Sequence, residues 1–417
     1  MPSKIPSKAE HEKWMLHALG LARLGEALTS PNPMVGAVLV RGGRIVGEGL
    51  HIYDGLRHAE IVALEAAGDA ARGATLYVTL EPCCHTGRTG PCTRAIINAG
   101  VARIVGAMTD PNPEVAGRGF RELRGAGIEV IPGILQDEAR QLNEAFATWI
   151  TAQRPFVTLK SAMTLDGQLV LPASLPKRPA KRSLRGKPDQ KIRWITSPAS
   201  RAEVQRMRHA CDAILTGIGT VLADDPLLTD RTGLPRRRRL LRVVLDSQLR
   251  LSPRSQLART AKGDVLVFTC ESASGKRARA LRRAGVEIFE CRSSPGSVTP
   301  PNLSAVRAGI LRKRKRPGDV RLRSGSHPNL HDVLAELARR GILSVLLEAG
   351  ATLNQAALSA GVVDKVRLFY APILAGSQLS GVSKSGGVEG IQLTALSDLR
   401  IERFGPDFAV EAYVRKT

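Results

Sequence analysis

One histidine and two cysteines constrain this chain more than any other feature, because the fold has to bring them to a single point. His58 precedes Cys83 and Cys92 in the sequence, and Glu60 lies just after the histidine. Zinc held by three protein ligands keeps its fourth position open for water, which is the arrangement of catalytic zinc sites. Glu60 is not needed as a ligand and is therefore predicted to move protons. The order His-x-Glu, then Pro-Cys and a further Cys, is typical of zinc deaminases.

Two other interpretations of the cysteines are open. Cys83 and Cys92 could form a disulfide, or the set could be a structural zinc site completed by Cys84 or His85. A structural site has no use for Glu60, so this carboxylate favours catalysis. We therefore predict a catalytic zinc ion, with Cys84 and His85 as neighbours of the site and not as ligands.

Length and composition place the chain among ordinary globular proteins. Its 417 residues are enough for two or three domains, and 43% of them are hydrophobic. No apolar run approaches the ~18 residues of a membrane span, and the N-terminus lacks the apolar segment of a secretory signal. Six cysteines are too few for a disulfide scaffold and indicate a reducing compartment. We expect a cytoplasmic protein with no membrane partner.

The net charge of +23 is concentrated in the second part of the chain. Residues 1–150 carry 15 basic and 16 acidic side chains, whereas residues 151–417 carry 46 and 22. The excess lies in three clusters, Lys177–Arg193, Arg236–Arg239 and Arg312–Arg316. Such clusters, poor in aromatics, are most simply solvated surface loops. We do not expect nucleic acid as a partner, although a basic field would attract a small phosphorylated substrate.

The first part of the chain alternates predicted helices and strands. A helix over Glu10–Leu28 precedes a Pro-Asn-Pro loop and a strand hairpin, and Asn32 in this loop could bind a pyrimidine edge or be a turn residue. His58 opens the next helix, and strand Ala74–Leu80 delivers Cys83 at its carboxyl end. A helix over Gln136–Ala152 ends a three-layer αβα sandwich, so we place a domain boundary between residues 152 and 153.

The second part is predicted to be a mixed α/β domain with two basic insertions, near residues 171–193 and 294–328. Ser197 is predicted to cap a helix over Pro198–His209. Strand Ile342–Leu347 runs through a glycine turn into helix Leu353–Ser359, which is the form of a phosphate cradle. Most such junctions bind nothing, so this turn alone is weak evidence for a dinucleotide.

From about residue 10 to residue 415, the chain resembles the bifunctional deaminase/reductase family of riboflavin biosynthesis. Eight residues separate Cys83 from Cys92, a spacing specific to this family among the deaminases. Further motifs carry the resemblance: Pro31-Asn32-Pro33, His58-Ala59-Glu60, Glu81-Pro82-Cys83, Asp110-Pro111-Asn112-Pro113, Lys160, Trp194-Ile195-Thr196, Thr216-Gly217, Asp224-Asp225-Pro226 and Glu348-Ala349-Gly350.

The resemblance implies a cytidine-deaminase-like αβα sandwich in residues 1–152 and a dihydrofolate-reductase-like α/β domain in residues 153–417. It implies that zinc hydroxide removes the exocyclic amine of a phosphoribosylated diaminopyrimidinone. His58, Cys83 and Cys92 would hold the zinc, and Glu60 would transfer the protons. The second domain would then use NADPH to reduce the ribose to a ribityl chain.

The resemblance also implies the binding residues of the second domain. The cofactor would contact Ala162, Trp194, Thr220, Asp224 and Gly350. The substrate would contact Arg208, Leu228, Arg231 and Glu348, and Asn32 is assigned to substrate binding in the first domain. Arginines bind phosphate bidentately, so Arg208 and Arg231 suit a 5′-phosphate, although outside the family they would be ordinary surface residues.

Three alternatives remain at this stage: a deaminase acting on nucleic acid, a zinc-stabilised scaffold that binds RNA, and a chain in which only one half is active. The motifs around Asp224 and Glu348, and the lack of stacking aromatics, argue against the first. Loss of activity on replacing Glu60 would argue against the second. We expect a homo-oligomer.

Overall fold

The structure is a computed structural model, and it describes residues 6–86, 90–169, 194–271, 273–291, 327–375 and 394–415. The two predicted basic insertions lie outside these residues, apart from residues 327 and 328. In the described part of the chain, no helix is long and apolar enough to cross a membrane.

The first half contains a five-stranded sheet in the order β2-β1-β3-β4-β5. Strand β1 is antiparallel to both its neighbours, and β3, β4 and β5 are parallel. Helices α2, α3 and α4 form the layer on one face of the sheet. Helices α1 and α5, which contact each other, form the layer on the opposite face. The elements are β1 Gly36–Arg41, β2 Arg44–Leu50, β3 Thr75–Val78, β4 Arg103–Gly106, β5 Glu129–Pro132, α1 Lys8–Arg23, α2 Ala59–Ala67, α3 Cys92–Asn98, α4 Arg118–Gly125, α5 Gln136–Leu142 and α6 Glu144–Ala152.

Two glycines of β2 position helix α2. A β-carbon on Gly49 would overlap the carbonyl oxygen of Ala59, and one on Gly47 would overlap that of Ala63. Only glycine permits this approach of a helix backbone to a strand. Helix α2 therefore lies directly on the hairpin, and its start, at His58, is fixed relative to the sheet.

The predicted helix over Gln136–Ala152 is in fact two helices, α5 and α6, broken at Asn143. The Asn143 side chain accepts a hydrogen bond from the backbone N–H of Met34 (2.8 Å) and donates one to the Met34 carbonyl (2.9 Å). This pairing takes Asn143 out of helical geometry. The first predicted helix is also shorter than expected, since α1 ends at Arg23 and not at Leu28.

The second half contains a nine-stranded sheet in the order β10-β9-β8-β7-β11-β6-β12-β14-β13. The strands from β10 to β12 are parallel, and β14 and β13 complete the sheet antiparallel. The elements are β6 Phe156–Thr164, β7 Ala213–Gly217, β8 Leu241–Leu245, β9 Val265–Thr269, β10 Val286–Glu290, β11 Ser344–Glu348, β12 Lys365–Ala371, β13 Leu396–Phe404, β14 Asp407–Val414, α7 Pro198–Ala210, α8 Ile218–Asp224, α9 Gln256–Arg259, α10 Lys276–Arg283, α11 Leu330–Arg339 and α12 Ala351–Ser359.

The predicted α/β fold class is confirmed in both halves, and so is the cap of α7, where the Ser197 side chain accepts from the N–H of Ser200. Helices α8, α9 and α10 and strand β13 were not predicted. Every strand of the first sheet precedes residue 152 and every strand of the second follows it. On this basis we propose that residues 1–152 and 153–417 are two separate domains.

One of the three basic clusters is not a solvated loop. Arg236, Arg237 and Arg238 are half-buried, and each guanidinium donates hydrogen bonds to the protein. Arg239 alone in this cluster is exposed. The prediction of a solvated surface loop at Arg236–Arg239 is therefore wrong. The sequence could not show this, because Ser30 and Gly341, which accept hydrogen bonds from these arginines, lie far away in the sequence.

Candidate metal centre and candidate reductase site

The three predicted zinc ligands meet where β3 and two helices come together. His58 is the N-cap of α2, Cys92 is the first residue of α3, and Cys83 follows β3. The His58 Nδ1 lies 3.1 Å from the Cys92 Sγ and 3.4 Å from the Cys83 Sγ. Both cysteines are free thiols, which excludes the disulfide alternative.

The donor set fits zinc. The three ligand atoms lie within 4.8 Å of one another, and among the described residues no other group of His, Cys, Asp and Glu is arranged in this way. Hydrogen bonding from Cys92 lowers the pKa of Cys83 to about 4 against the opposing effect of burial, and His58 assists. A thiolate is the form that binds zinc. Cys84 and His85 lie outside the cluster.

Glu60 lies in the first turn of α2, two residues after His58, and is 4% exposed. Burial raises the pKa of its carboxyl group to about 7, and the nearby imidazole of His58 only partly opposes this. A carboxyl group with this pKa both accepts and releases a proton at neutral pH. The structure thus places a proton-transfer group beside the metal ligands.

Asn32 reaches the metal centre through a histidine that the sequence did not reveal. The Asn32 Nδ2 lies 2.9 Å from the Nε2 of His51, whose Nδ1 lies 2.9 Å from the Arg57 carbonyl oxygen. The rings of His51 and His58 pack edge to face, with centroids 5.6 Å apart. His51 simply follows β2, and no motif or spacing marks it.

Glu81 is a second residue whose role the sequence did not reveal, namely to hold a loop in place beside the metal centre. Its buried carboxylate accepts hydrogen bonds from the backbone N–H groups of Asp110 (3.1 Å), Gly117 (2.9 Å) and Phe120 (3.1 Å). It thereby ties the second Pro-Asn-Pro loop to the segment that carries Cys83. The signal was the Glu-Pro-Cys motif itself, in which only the cysteine had been given a role.

In the second half, Glu348 at the end of β11 forms a buried charge cluster with two cations. Arg208 donates to its carboxylate through Nε (2.7 Å) and Nη2 (2.9 Å), and the Lys160 Nζ lies 3.6 Å from it. Burial alone would raise the pKa of Glu348, but the charges of Lys160 and Arg208 outweigh it and hold the pKa at about 2. We name these three residues the Glu348 cluster.

The structure brings Arg208 and Glu348 together, and it holds the segment of Leu228 and Arg231 close to Arg208, since the Arg231 backbone N–H donates to the Gln205 side chain on the same helix (3.0 Å). Arg208 also donates to the Thr229 carbonyl (3.2 Å), so most of its guanidinium is already engaged. Leu228 is 4% exposed and packs in the core of this half. Arg231 is exposed.

Four of the five predicted cofactor residues lie on the neighbouring parallel strands β6, β11 and β7 or in the segments that follow them. Ala162 lies on β6, two residues after Lys160, Gly350 is the N-cap of α12, and Thr220 and Asp224 lie on α8. Trp194 is 55% exposed, with the Arg201 guanidinium 5.4 Å from its ring centroid.

Two buried polar atoms of this region have no hydrogen-bond partner among the described residues: Thr216 Oγ1, one residue before the N-cap of α8, and Asn354 Oδ1, in the first turn of α12. The starts of the two helices are adjacent, since a β-carbon on Gly217 would lie 3.5 Å from the Leu353 Cδ2. The Thr216 hydroxyl can donate a hydrogen bond and so fits a phosphate-bearing cofactor at these helix N-termini, whereas the Asn354 Oδ1 can only accept and would need a donor group of the cofactor.

The sequence matches two family models. One describes the cytidine and deoxycytidylate deaminase zinc-binding region, over residues 8–108, and the other the RibD C-terminal domain, over residues 155–410. The riboflavin biosynthesis protein RibD of Escherichia coli is 37% identical, with 95% of this chain and 98% of that protein covered. The RibD protein of Actinobacillus pleuropneumoniae is 38% identical, with 91% and 88% covered.

Solved structures agree over the whole chain. Acinetobacter baumannii RibD superposes with a TM-score of 0.74 at 32% identity, covering 98% of this chain and all of that one. A diaminohydroxyphosphoribosylaminopyrimidine deaminase/5-amino-6-(5-phosphoribosylamino)uracil reductase from Thermotoga maritima gives 0.73 at 34% identity, covering 98% and 99%. With both halves matched in one chain, the protein belongs to the RibD family of riboflavin biosynthesis proteins.

Proposed function

We propose that the first half deaminates diaminohydroxyphosphoribosylaminopyrimidine and that the second half reduces the ribosyl group of the product with NADPH. The observation that carries the first activity is the convergence of His58, Cys83 and Cys92 within 4.8 Å, beside the buried carboxyl group of Glu60. Membership of the family, whose related structure from Thermotoga maritima is named for both activities, supports the second.

In the first half, His58, Cys83 and Cys92 would hold the zinc ion. When bound, zinc lowers the pKa of water to about 7 and so makes a hydroxide nucleophile available at neutral pH. Deamination adds one water to the carbon that bears the amine and releases ammonia, so protons must move from oxygen to nitrogen. Glu60 suits this transfer because it lies buried beside the metal ligands, and burial raises the pKa of its carboxyl group. Asn32 is held by His51 at the same place and would bind the pyrimidine edge.

In the second half, the Glu348 cluster would bind the sugar of the product beside the nicotinamide. Ala162, Trp194, Thr220, Asp224 and the turn at Gly350 would contact NADPH, which supplies the hydride. Because Arg208 already gives two N–H groups to Glu348, we assign it to holding that carboxylate and only secondarily to phosphate. The exposed Arg231 is then the better partner for the 5′-phosphate.

We further propose that the protein acts in the cytoplasm, as a homo-oligomer, on small molecules and not on nucleic acid. Sparse cysteines, two of them used as metal ligands, support a reducing compartment. The engagement of Arg236, Arg237 and Arg238 in contacts with the protein argues against a nucleic-acid surface in that cluster.

A coupled assay tests both activities. Zinc-loaded protein is given the phosphoribosylated diaminopyrimidinone, with and without NADPH, while ammonia release and NADPH oxidation are followed. We expect ammonia in both reactions and NADPH oxidation that depends on prior deamination. Ammonia without NADPH oxidation would contradict the reductase proposal. If the zinc-loaded protein gave neither ammonia release nor NADPH oxidation, this result would contradict the proposed substrate. It would favour a deaminase that acts on nucleic acid.

A further inference from the structure

Arg237 belongs to the reductase half, but its side chain contacts the deaminase half. Its Nη1 donates to the carbonyl oxygen of Ser30 (2.8 Å), and its Nε donates to the Asp54 carboxylate (3.0 Å). The guanidinium also lies over the Tyr53 ring, 3.6 Å from the centroid. Its backbone N–H donates to the carbonyl of Ala27 (3.0 Å). Arg237 thus joins two segments of the first half that are separate in the sequence.

Arg238 binds the same serine from another side. Its Nη2 donates to the Ser30 Oγ (2.6 Å) and to the carbonyl oxygen of Gly341 (2.7 Å). The Ser30 hydroxyl in turn donates to the Asp212 carboxylate (2.9 Å), which also accepts from the backbone N–H of Leu343 (2.8 Å). Backbone and side chain of Ser30 are therefore both held by the reductase half.

These contacts lie next to the residues of the deaminase site. Ser30 is two residues before Asn32, and Tyr53 lies between His51 and the zinc ligand His58. Asn32 and His51 are themselves in contact at 2.9 Å. The Arg237 guanidinium therefore connects the turn that carries Asn32 to the turn that leads to His58. Its side chain is 21% exposed, so water screens the bond to the Ser30 carbonyl oxygen only in part, whereas the Asp54 side chain is 72% exposed and its ion pair is well screened.

We propose that Arg237, supported by Arg238, is a positioning residue for the pyrimidine: it fixes Asn32 relative to His58, so that full deaminase activity requires the reductase half. The inference rests on the proposed deaminase function. It assigns Arg237 no contact with the substrate. A misplacement of a binding group by about 1 Å is enough to lower a rate substantially.

The inference predicts which kinetic constant changes. If Arg237 acts by placing Asn32, then Arg237→Ala should raise KM for the pyrimidine more than it lowers kcat, and kcat/KM should fall about tenfold. Arg237→Lys keeps the charge near Asp54 but loses the planar fork, so it should be intermediate. Zinc content and NADPH oxidation with the deaminated product supplied directly should be unchanged.

The decisive experiment combines Arg237→Ala with Asn32→Ala in the full zinc-loaded chain and measures ammonia release. Residues that act through one another give non-additive effects. We expect Arg237→Ala to lower kcat/KM about tenfold in the wild-type background and less than about twofold in the Asn32→Ala background. The control is Arg239→Ala, an exposed neighbour with no hydrogen bond or ion pair to the described residues, which should change nothing.

Equal losses in both backgrounds, or no loss in either, would overturn the inference. A parallel loss of zinc, deaminase activity and NADPH oxidation would also overturn it, because it would show that Arg237 only holds the protein together. Failure of the proposed function looks different, since wild-type protein would then release no ammonia, and the inference would fall with it.

Discussion

The two sites hold buried carboxylates in opposite ways. Among the described residues, no lysine or arginine pairs with Glu60, and burial raises its pKa to about 7. Glu348 is paired with Arg208 and Lys160, and its pKa is held at about 2. A group that titrates near neutrality transfers protons, whereas one that stays ionised fixes the positions of the charges around it. We therefore assign proton transfer to Glu60, and we assign to Glu348 the role of holding the charged side chains around it in place.

The largest expected effect comes from removing the proton-transfer group. Glu60→Gln keeps the size of the side chain but not its acid–base function. Ammonia release should fall by roughly 10²- to 10⁴-fold, as is usual for a general acid–base residue. Zinc content and NADPH oxidation with the deaminated product should stay at the wild-type level.

The matched control for this change is Glu65→Gln, on the same helix, where the carboxylate is 51% exposed and pairs with Arg57. It should keep full activity. If Glu60→Gln retained ammonia release, the metal centre would be structural, and a zinc-stabilised scaffold would be the better description of the first half.

Glu348→Gln should act on stability more than Glu60→Gln does. It would leave Arg208 and Lys160, only 12% and 16% exposed, without their counter-charge. Loss of one member of a buried ion pair typically costs about 3–5 kcal/mol. Urea unfolding should show a loss of this size, and NADPH oxidation should be impaired while ammonia release by the folded protein persists.

Glu287→Gln is the control for that experiment, because this carboxylate pairs with Arg340 but is 54% exposed. We expect a change below about 1 kcal/mol. If both variants lost the same unfolding free energy, the buried Glu348 cluster would contribute no more to stability than an exposed ion pair.

The pH dependence of stability sharpens the contrast. The pKa of Glu348 is lowered from 4.5 to about 2, so the unfolded chain binds the proton first as pH falls. The stabilisation from this group is fully present above about pH 4.5 and is lost as pH falls towards 2. The shift corresponds to about 3 kcal/mol. The difference in unfolding free energy between wild type and Glu348→Gln should therefore shrink between pH 5 and 2.5, and a constant difference would contradict the assignment.

The sequence could predict the metal centre because its three donors lie in short motifs at the ends of three elements: His58 at the start of α2, Cys83 after β3 and Cys92 at the start of α3. The Ser197 cap was predictable for the same reason, since a cap is a local interaction. The break at Asn143 was not, because helical periodicity continues through it and the cause is a bond to Met34, distant in sequence. His51 and Arg237 were missed or misread for the same reason, since their partners become neighbours only in the folded chain.

The smallest predicted effect tests whether the Glu348 cluster depends on the stability of the helix that carries Arg208. Helix α7 carries Arg208 near its end and is capped at its start by Ser197. Ser197→Ala should cost about 1 kcal/mol, the usual value for an N-cap. Because the cap is several turns from Arg208, NADPH oxidation should change less than stability, and the metal centre not at all. A loss of NADPH oxidation as large as that of Glu348→Gln would mean that the position of Arg208 is set by the whole helix and not by its carboxylate partner.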